Sequence, residues 1–128
     1  MLLTHYPMIS FVEEASSASL IYGDDLEDLE EVARPLLERS APTVVVNGHI
    51  HLRYACVEGR LLQVSCAALV EPPFEITLLD FEVDPKPEEG RVAVRRRSLS
   101  LASSSAVRCP SLSPPKQEWT FERGRGIP

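Results

Sequence analysis

The sequence predicts a layered α/β domain, and three patterns support this prediction. Apolar residues recur at helical spacing from Asp24 to Ser40, which is typical of a helix that covers a sheet. The β-branched run from Thr43 to Val46 has no polar alternation, as in a strand that is buried on both faces. Several strand patterns follow without another helical one, so strand outweighs helix toward the C-terminus.

Length and composition indicate a folded protein of one domain. The chain has 128 residues, of which 44% are hydrophobic and 25% are charged, close to the average of globular proteins. No apolar run is long enough for a membrane helix, and the N-terminus lacks the pattern of a signal peptide. The three cysteines form no C-x-x-C pair and are odd in number. We therefore expect a cytoplasmic protein without a membrane partner.

Charge is divided unevenly along the chain. Residues 1–90 contain 17 acidic and 5 basic residues, whereas residues 91–128 contain 2 acidic and 8 basic residues. Nucleic-acid binding needs a basic surface that neutralises phosphates, so the acidic excess argues against nucleic acid as the main partner. Only the basic C-terminal part favours it, and weakly.

The first strand and the helix have recognisable ends. Residues Met1–Thr4 form a short apolar run that stops before a proline, which cannot donate to a sheet ladder. Residues 8–23 show no sustained period and are predicted to form a loop. Asp24 is the predicted N-cap of the helix, and Glu27 would complete a capping box. Pro35 should kink the helix or divide it in two.

Four strands are predicted after Thr43–Val46. In chain order they are Leu52–Val57, Arg60–Val64, Phe74–Val83 and Val92–Leu101. Glu58-Gly59 indicates a hairpin turn between the first two of these strands. Pro85, Pro87 and Gly90 indicate the turn between the last two.

The chain changes in character at residue 102. Residues 102–128 are rich in serine and proline and cannot bury a core of their own. We therefore place the folded domain at residues 1–101 and a C-terminal tail at residues 102–128. Trp119 and Phe121 are the exceptions, because two large aromatic side chains can dock the end of the chain on the domain.

All three histidines follow predicted strands. His5 comes after the first strand, and His49 and His51 come after Thr43–Val46. Sites in open α/β sheets form at the carboxyl ends of strands, although a single histidine there is more often packed or solvated. Neutral imidazole binds zinc, manganese, iron or nickel, and a His-x-His pair can direct two imidazoles toward neighbouring metal positions. Gly48 would allow the sharp turn that such a pair needs.

Two stretches resemble one enzyme family. Val44–His51, with the sequence V-V-V-N-G-H-I-H, resembles the closing G-H-x-H motif of the calcineurin-like metallophosphoesterases. Leu2–Pro7, with the sequence L-L-T-H-Y-P, resembles the strand and histidine that precede this motif in the family. The two stretches have the family's order, with a helix between them. The resemblance covers about residues 1–84.

The resemblance implies the C-terminal half of a four-layer α/β/β/α sandwich with a two-metal site. Such a site hydrolyses phosphomonoesters or phosphodiesters, so the substrate would be a small phosphate ester or a nucleotide. Carried over from the family, His5 and His49 would bind one metal ion and His51 would bind its neighbour. The ions would be manganese, iron, zinc or nickel.

The sequence also departs from that family. It lacks the acidic and asparagine motifs D-x-H, G-D-x-x-D and G-N-H-[DE], which supply the remaining ligands and the histidine that assists the leaving group. We therefore assign no catalytic residue and expect the chain alone to be inactive, with a complementing N-terminal half or a second copy as its partner. The alternative is a non-catalytic interaction module that binds a partner through an open sheet edge and the acidic helix. Arg95–Arg97 is interpreted as a solvated face rather than a phosphate site.

Overall fold

The computed structural model describes residues 1–10, 26–51, 54–68, 75–83, 89–98 and 118–122. In chain order, their helix and strands are β1 Leu2–Thr4, α1 Leu29–Leu37, β2 Thr43–Asn47, β3 Tyr54–Glu58, β4 Leu61–Ser65, β5 Glu75–Val83, β6 Glu89–Ser98 and β7 Glu118–Glu122. Every predicted strand is present, with its ends shifted by a few residues. Within these ranges no helix has the length and apolar character needed to cross a membrane.

The first sheet has the strand order β1-β2-β4-β3. Strands β1, β2 and β4 are parallel, and β3 pairs with β4 in the antiparallel hairpin that the sequence predicts. Gly59 lies in the hairpin turn with φ of 58°, a left-handed conformation that glycine adopts without steric cost. Val44 and Val45 are both buried although they point to opposite faces of β2, which confirms the prediction of a doubly covered strand.

The second sheet is antiparallel and has the order β5-β6-β7. Strand β6 begins at Glu89, so the prediction that Gly90 forms part of the preceding turn is wrong. Gly90 pairs instead with Val83 of β5, because the ladder between the two long strands extends to that position. Trp119 of β7 is 4% exposed, which confirms that this aromatic residue docks the end of the chain on the domain.

Alternation along the strands of the first sheet produces two cores. On one face, Val45 and Leu61 pack against Ala33 of α1 and Met8. On the opposite face, Val44, Leu62 and Val64 pack against the second sheet through Val92, Val94 and Trp119. Helix, mixed sheet and antiparallel sheet are therefore three successive layers. Among the residues described, no second helix covers the outer face of the second sheet, so the four-layer sandwich stays a prediction.

Helix α1 is shorter than its sequence pattern. It begins at Leu29, after a turn in which the amide of Leu29 donates to the carbonyl of Leu26 at 3.0 Å, so the predicted start at Asp24 is wrong. Asp24 itself, and with it the predicted capping box, lies outside the described residues. Asp28 stands at the N-cap and makes no side-chain capping bond. Pro35 does not divide the helix, which ends two residues later. A helix of this length is stabilised mainly by its packing on the sheet.

Several predictions fall outside the described residues. These are most of the loop at residues 8–23, the turn around Pro85 and Pro87, and the greater part of the tail from residue 102. The domain boundary between residues 101 and 102 therefore stays a prediction. Strand β7 nevertheless belongs to the second sheet, although it lies within the predicted tail.

Candidate metal centre

The parallel pairing of β1 with β2 places two of the three histidines side by side. Thr4 pairs with Asn47 at the carboxyl end of this ladder, so the chain leaves both strands at the same edge of the sheet. His5 Nε2 lies 3.3 Å from His49 Nδ1, and the ring centroids are 5.0 Å apart at an interplanar angle of 70°. Residues 44 positions apart in the sequence thus meet at the edge where α/β sheets carry their sites.

The backbone at His49 and at His51 has a positive φ, which residues other than glycine rarely adopt. His49 has φ of 60° and His51 has φ of 52°. The amide of Ile50 donates to the carbonyl of Gly48 at 2.7 Å, which makes His49 the central residue of a three-residue γ-turn. The sequence assigned the sharp turn to Gly48, but the left-handed residues are the two histidines themselves. Strained backbone of this kind is concentrated at functional sites, where it directs side chains.

Asn47 and Ser65 brace the turn that carries His49. The hydroxyl of Ser65 donates to Asn47 Oδ1 at 2.9 Å, and Asn47 Nδ2 donates to the carbonyl of Gly48 at 3.0 Å. The amide of Cys66 donates to the backbone carbonyl of Asn47 at 2.8 Å. Asn47 and Ser65 are buried. These bonds connect the ends of β2 and β4, so the γ-turn starts from a fixed base.

Tyr6 contacts both histidine rings. Its ring meets His5 edge-on at a centroid distance of 5.2 Å, and it lies 4.1 Å from the His49 ring. The hydroxyl of Thr4 donates to the Tyr6 carbonyl at 2.7 Å and so shapes the turn after β1. Sequence analysis assigned no role to Tyr6. Its position directly after a predicted strand and next to a candidate ligand was the signal that could have identified it.

The His5–His49 pair matches the spacing of two ligands on one metal ion. Two nitrogens bound to zinc at about 2.0–2.1 Å with a tetrahedral angle lie about 3.3 Å apart, as His5 Nε2 and His49 Nδ1 do. The other ring nitrogen of His49, Nε2, is buried and has no hydrogen-bond partner among the described residues. A metal-binding histidine usually donates its second nitrogen to an oxygen acceptor, and no described residue supplies one here.

The third histidine does not complete the set. Across the described ranges, no group of three or more histidine, cysteine, aspartate or glutamate side chains is arranged to hold a metal ion. His51 therefore does not join His5 and His49 as a third ligand. Zinc sites use three or four protein ligands, so this pair by itself supplies too few for one. The resemblance assigns His51 to a neighbouring ion instead. No contact among the described residues tests that assignment, so it stays a prediction.

Arg91 and Arg95 of the second sheet form ion pairs on an exposed face. Arg95 donates to both carboxylate oxygens of Asp80, at 2.7 and 2.9 Å, and these hydrogen bonds lower the pKa of Asp80. Arg91 bonds Glu118 at 2.8 Å and lies 3.7 Å from Glu82. The Arg95 side chain is 64% exposed, which confirms the interpretation as a solvated face at this residue.

No protein-family model, curated protein or solved structure matches this chain. The likeness to the metallophosphoesterases therefore depends on the two histidine stretches, and membership of that family stays a prediction.

Proposed function

We propose that His5 and His49 bind one divalent transition-metal ion as part of a two-metal phosphoesterase site, in which His51 serves the neighbouring ion. The observation that carries the proposal is the 3.3 Å separation of His5 Nε2 and His49 Nδ1. A second supporting feature is the left-handed conformation of His49. This conformation costs free energy, and backbone strain of this kind is typical of residues whose side chains are held in place for function.

Residues next to the two histidines would hold the imidazole rings in position for the ion. Asn47 fixes the start of the γ-turn, and Tyr6 packs against both imidazoles and limits their rotation. When bound, two cations would neutralise charge on the phosphoryl oxygens of a phosphate ester or nucleotide. Zinc and nickel should bind better than manganese, because imidazole ligands follow the Irving–Williams order. A reducing intracellular location belongs to the same proposal, and the odd number of cysteines without a C-x-x-C pair supports it.

Titration calorimetry with zinc tests the metal assignment. The parent chain should bind one zinc ion weakly, and His5→Ala and His49→Ala should each abolish the binding, because each removes one of the two converging nitrogens. His51→Ala is the matched control, since it removes an imidazole from the same loop without touching the pair. Equal losses in all three variants would contradict the assignment, and so would a parent chain that binds no zinc.

Hydrolysis of p-nitrophenyl phosphate and of its bis-ester tests the catalytic part. The sequence lacks the acidic ligands of a complete two-metal site, so we expect the purified chain to be no faster than a control that contains only the metal. Metal-dependent turnover that disappears in His49→Ala would show that the absent motifs are dispensable and would refute the expectation of inactivity.

A second candidate function is pairing with another copy of this chain at strand β1. Leu3 is 70% exposed although β1 belongs to a sheet whose central strands are buried, and exposed apolar edge strands favour pairing. Light scattering after size exclusion should then report a dimer, and Leu3→Lys should shift it to monomer. The exposed Val32→Lys change on α1 is the control, because it adds the same charge away from β1. A monomer at every concentration would exclude this candidate.

A further inference from the structure

We infer that Gln63 is a positioning residue for the His5–His49 pair, an inference that rests on the proposed function. Gln63 lies at the middle of β4 and is fully buried. Its strand neighbours Leu62 and Val64 are apolar and equally buried. A buried amide is unfavourable unless its donors and acceptors are paired, so the groups that Gln63 binds explain why it is tolerated in the core.

The Gln63 side chain binds the backbone of the segment that follows His5. Its Oε1 accepts hydrogen bonds from the amide of Met8 at 2.5 Å and from the amide of Ile9 at 2.8 Å. Its Nε2 donates to the carbonyl of Ile9 at 2.9 Å. A single side chain therefore pairs three backbone groups, much as a neighbouring strand would. Nε2 also approaches Cys56 Sγ at 3.9 Å, a weak contact.

These bonds hold the histidine segment at its far end. At its near end, the ladder between β1 and β2 fixes Thr4 opposite Asn47. Pro7, between the two anchors, is buried, and Met8 is 5% exposed within the core under α1. His5 and Tyr6 are thus carried on a short stretch of chain with both ends fixed. The position of the His5 ring against His49 depends on both anchors.

Removing the Gln63 amide takes the hydrogen-bond acceptor away from the buried N–H of Met8 and the half-buried N–H of Ile9. An N–H group without an acceptor away from water costs free energy, so the segment must shift until water can reach the amides of Met8 and Ile9. The shift changes where His5 points, while β2 and the γ-turn at His49 keep their own bonds. Substitutions that disturb the groups supporting metal ligands typically weaken metal binding about 10- to 100-fold. We expect a loss of at least about 10-fold in zinc affinity for Gln63→Leu.

The experiment compares Gln63→Leu with Leu62→Ala and Gln63→Glu in the full chain, at a temperature where circular dichroism shows each protein to be folded. Leu62 is the neighbouring β4 residue and packs toward the second sheet, so Leu62→Ala weakens the core without touching the segment and should keep the parent's zinc affinity. Gln63→Glu keeps the acceptor for the two amides, and burial favours its protonated form, whose hydroxyl can donate to the Ile9 carbonyl in place of Nε2. This variant should therefore recover most of the affinity. Parent-like affinity in Gln63→Leu, or equal losses in Leu62→Ala and Gln63→Leu, would overturn the inference.

A measurement without metal separates this inference from the proposed function. In the metal-free parent, nuclear Overhauser effects should connect the His5 and His49 rings; they should persist in Leu62→Ala and Gln63→Glu and disappear in Gln63→Leu. A parent that binds no zinc would refute the proposed metal site, and the Overhauser effects between the rings would then decide the role of Gln63. Their persistence in folded Gln63→Leu would refute that role. If Gln63→Leu does not fold, the disappearance of these Overhauser effects in Gln63→Glu would refute it equally.

Discussion

Replacing His49 by glycine should give a more stable protein than replacing it by alanine, the reverse of the usual order. Both changes remove the imidazole and its contacts with Tyr6 and His5, so these losses cancel in the comparison. What remains is the backbone, which has φ of 60° at this position. Alanine must adopt the left-handed region against its Cβ atom, whereas glycine does so freely.

The size of the difference follows from two opposing terms. The left-handed conformation costs an ordinary residue about 1–2 kcal/mol. Glycine loses more conformational freedom on folding, which offsets about 0.5–1 kcal/mol of that advantage. We therefore expect His49→Gly to exceed His49→Ala by about 0.5–1 kcal/mol in the free energy of unfolding. For a chain of this size the corresponding difference in melting temperature is about 3 °C.

Urea unfolding at 25 °C measures the difference, and zinc titration on the same samples should show that neither variant binds the ion. Ala41→Gly is the control, because Ala41 is exposed and its φ is not left-handed. Ala41→Gly should lower the free energy of unfolding by up to about 1 kcal/mol, because glycine loses more conformational freedom on folding. If His49→Gly is no more stable than His49→Ala, the γ-turn does not exist in solution, and the argument from strain at this site fails.

Three further outcomes are expected. Trp119→Ala should lower the free energy of unfolding in urea by about 3–5 kcal/mol, because it opens a cavity between the two sheets. Thr120→Ala should change it little, because Thr120 is exposed. A small effect in both variants would mean that β7 is not packed on the core. Gly59→Ala should lower the free energy of unfolding by about 1 kcal/mol, because alanine must adopt the left-handed φ of this residue. Gly48→Ala should be nearly neutral, because nothing lies within 4 Å of its added Cβ. A larger loss for Gly48→Ala than for Gly59→Ala would disprove the turn geometry. The lowered pKa of Asp80 means that its carboxylate stabilises the fold above the unfolded pKa of about 3.8 and loses this effect as pH falls through the folded value. The stability difference between the parent and Asp80→Asn should therefore shrink below about pH 4; a difference constant with pH would show that the ion pair does not form.

Local patterns determined where the strands lie and which residues follow them. The β-branched run at Thr43–Val46 and the alternation of the later strands depend on residues close in the sequence, so β1 to β6 were predicted to within a few residues. Strand β7 was not predicted, because it lies in a segment rich in serine and proline. The same patterns placed His5 and His49 at strand ends. The start of α1 was mispredicted because acidic residues before Leu29 suit either a helix cap or a turn, and packing of the helix on the sheet decides between them.

The tertiary structure alone decided which of these residues meet. The register of β1 against β2 brings His5 to His49 across 44 positions, and no periodicity in either segment specifies that register. The left-handed φ of His49 arises from a turn anchored on Asn47, and a non-glycine residue carries no local sign of it. Gln63 is a polar residue within an apolar strand of the sequence, but sequence analysis assigned it no role. That its partners are the amides of Met8 and Ile9 follows only from the packing of that segment over β4, since hydrogen bonds between distant residues depend on how the layers come together.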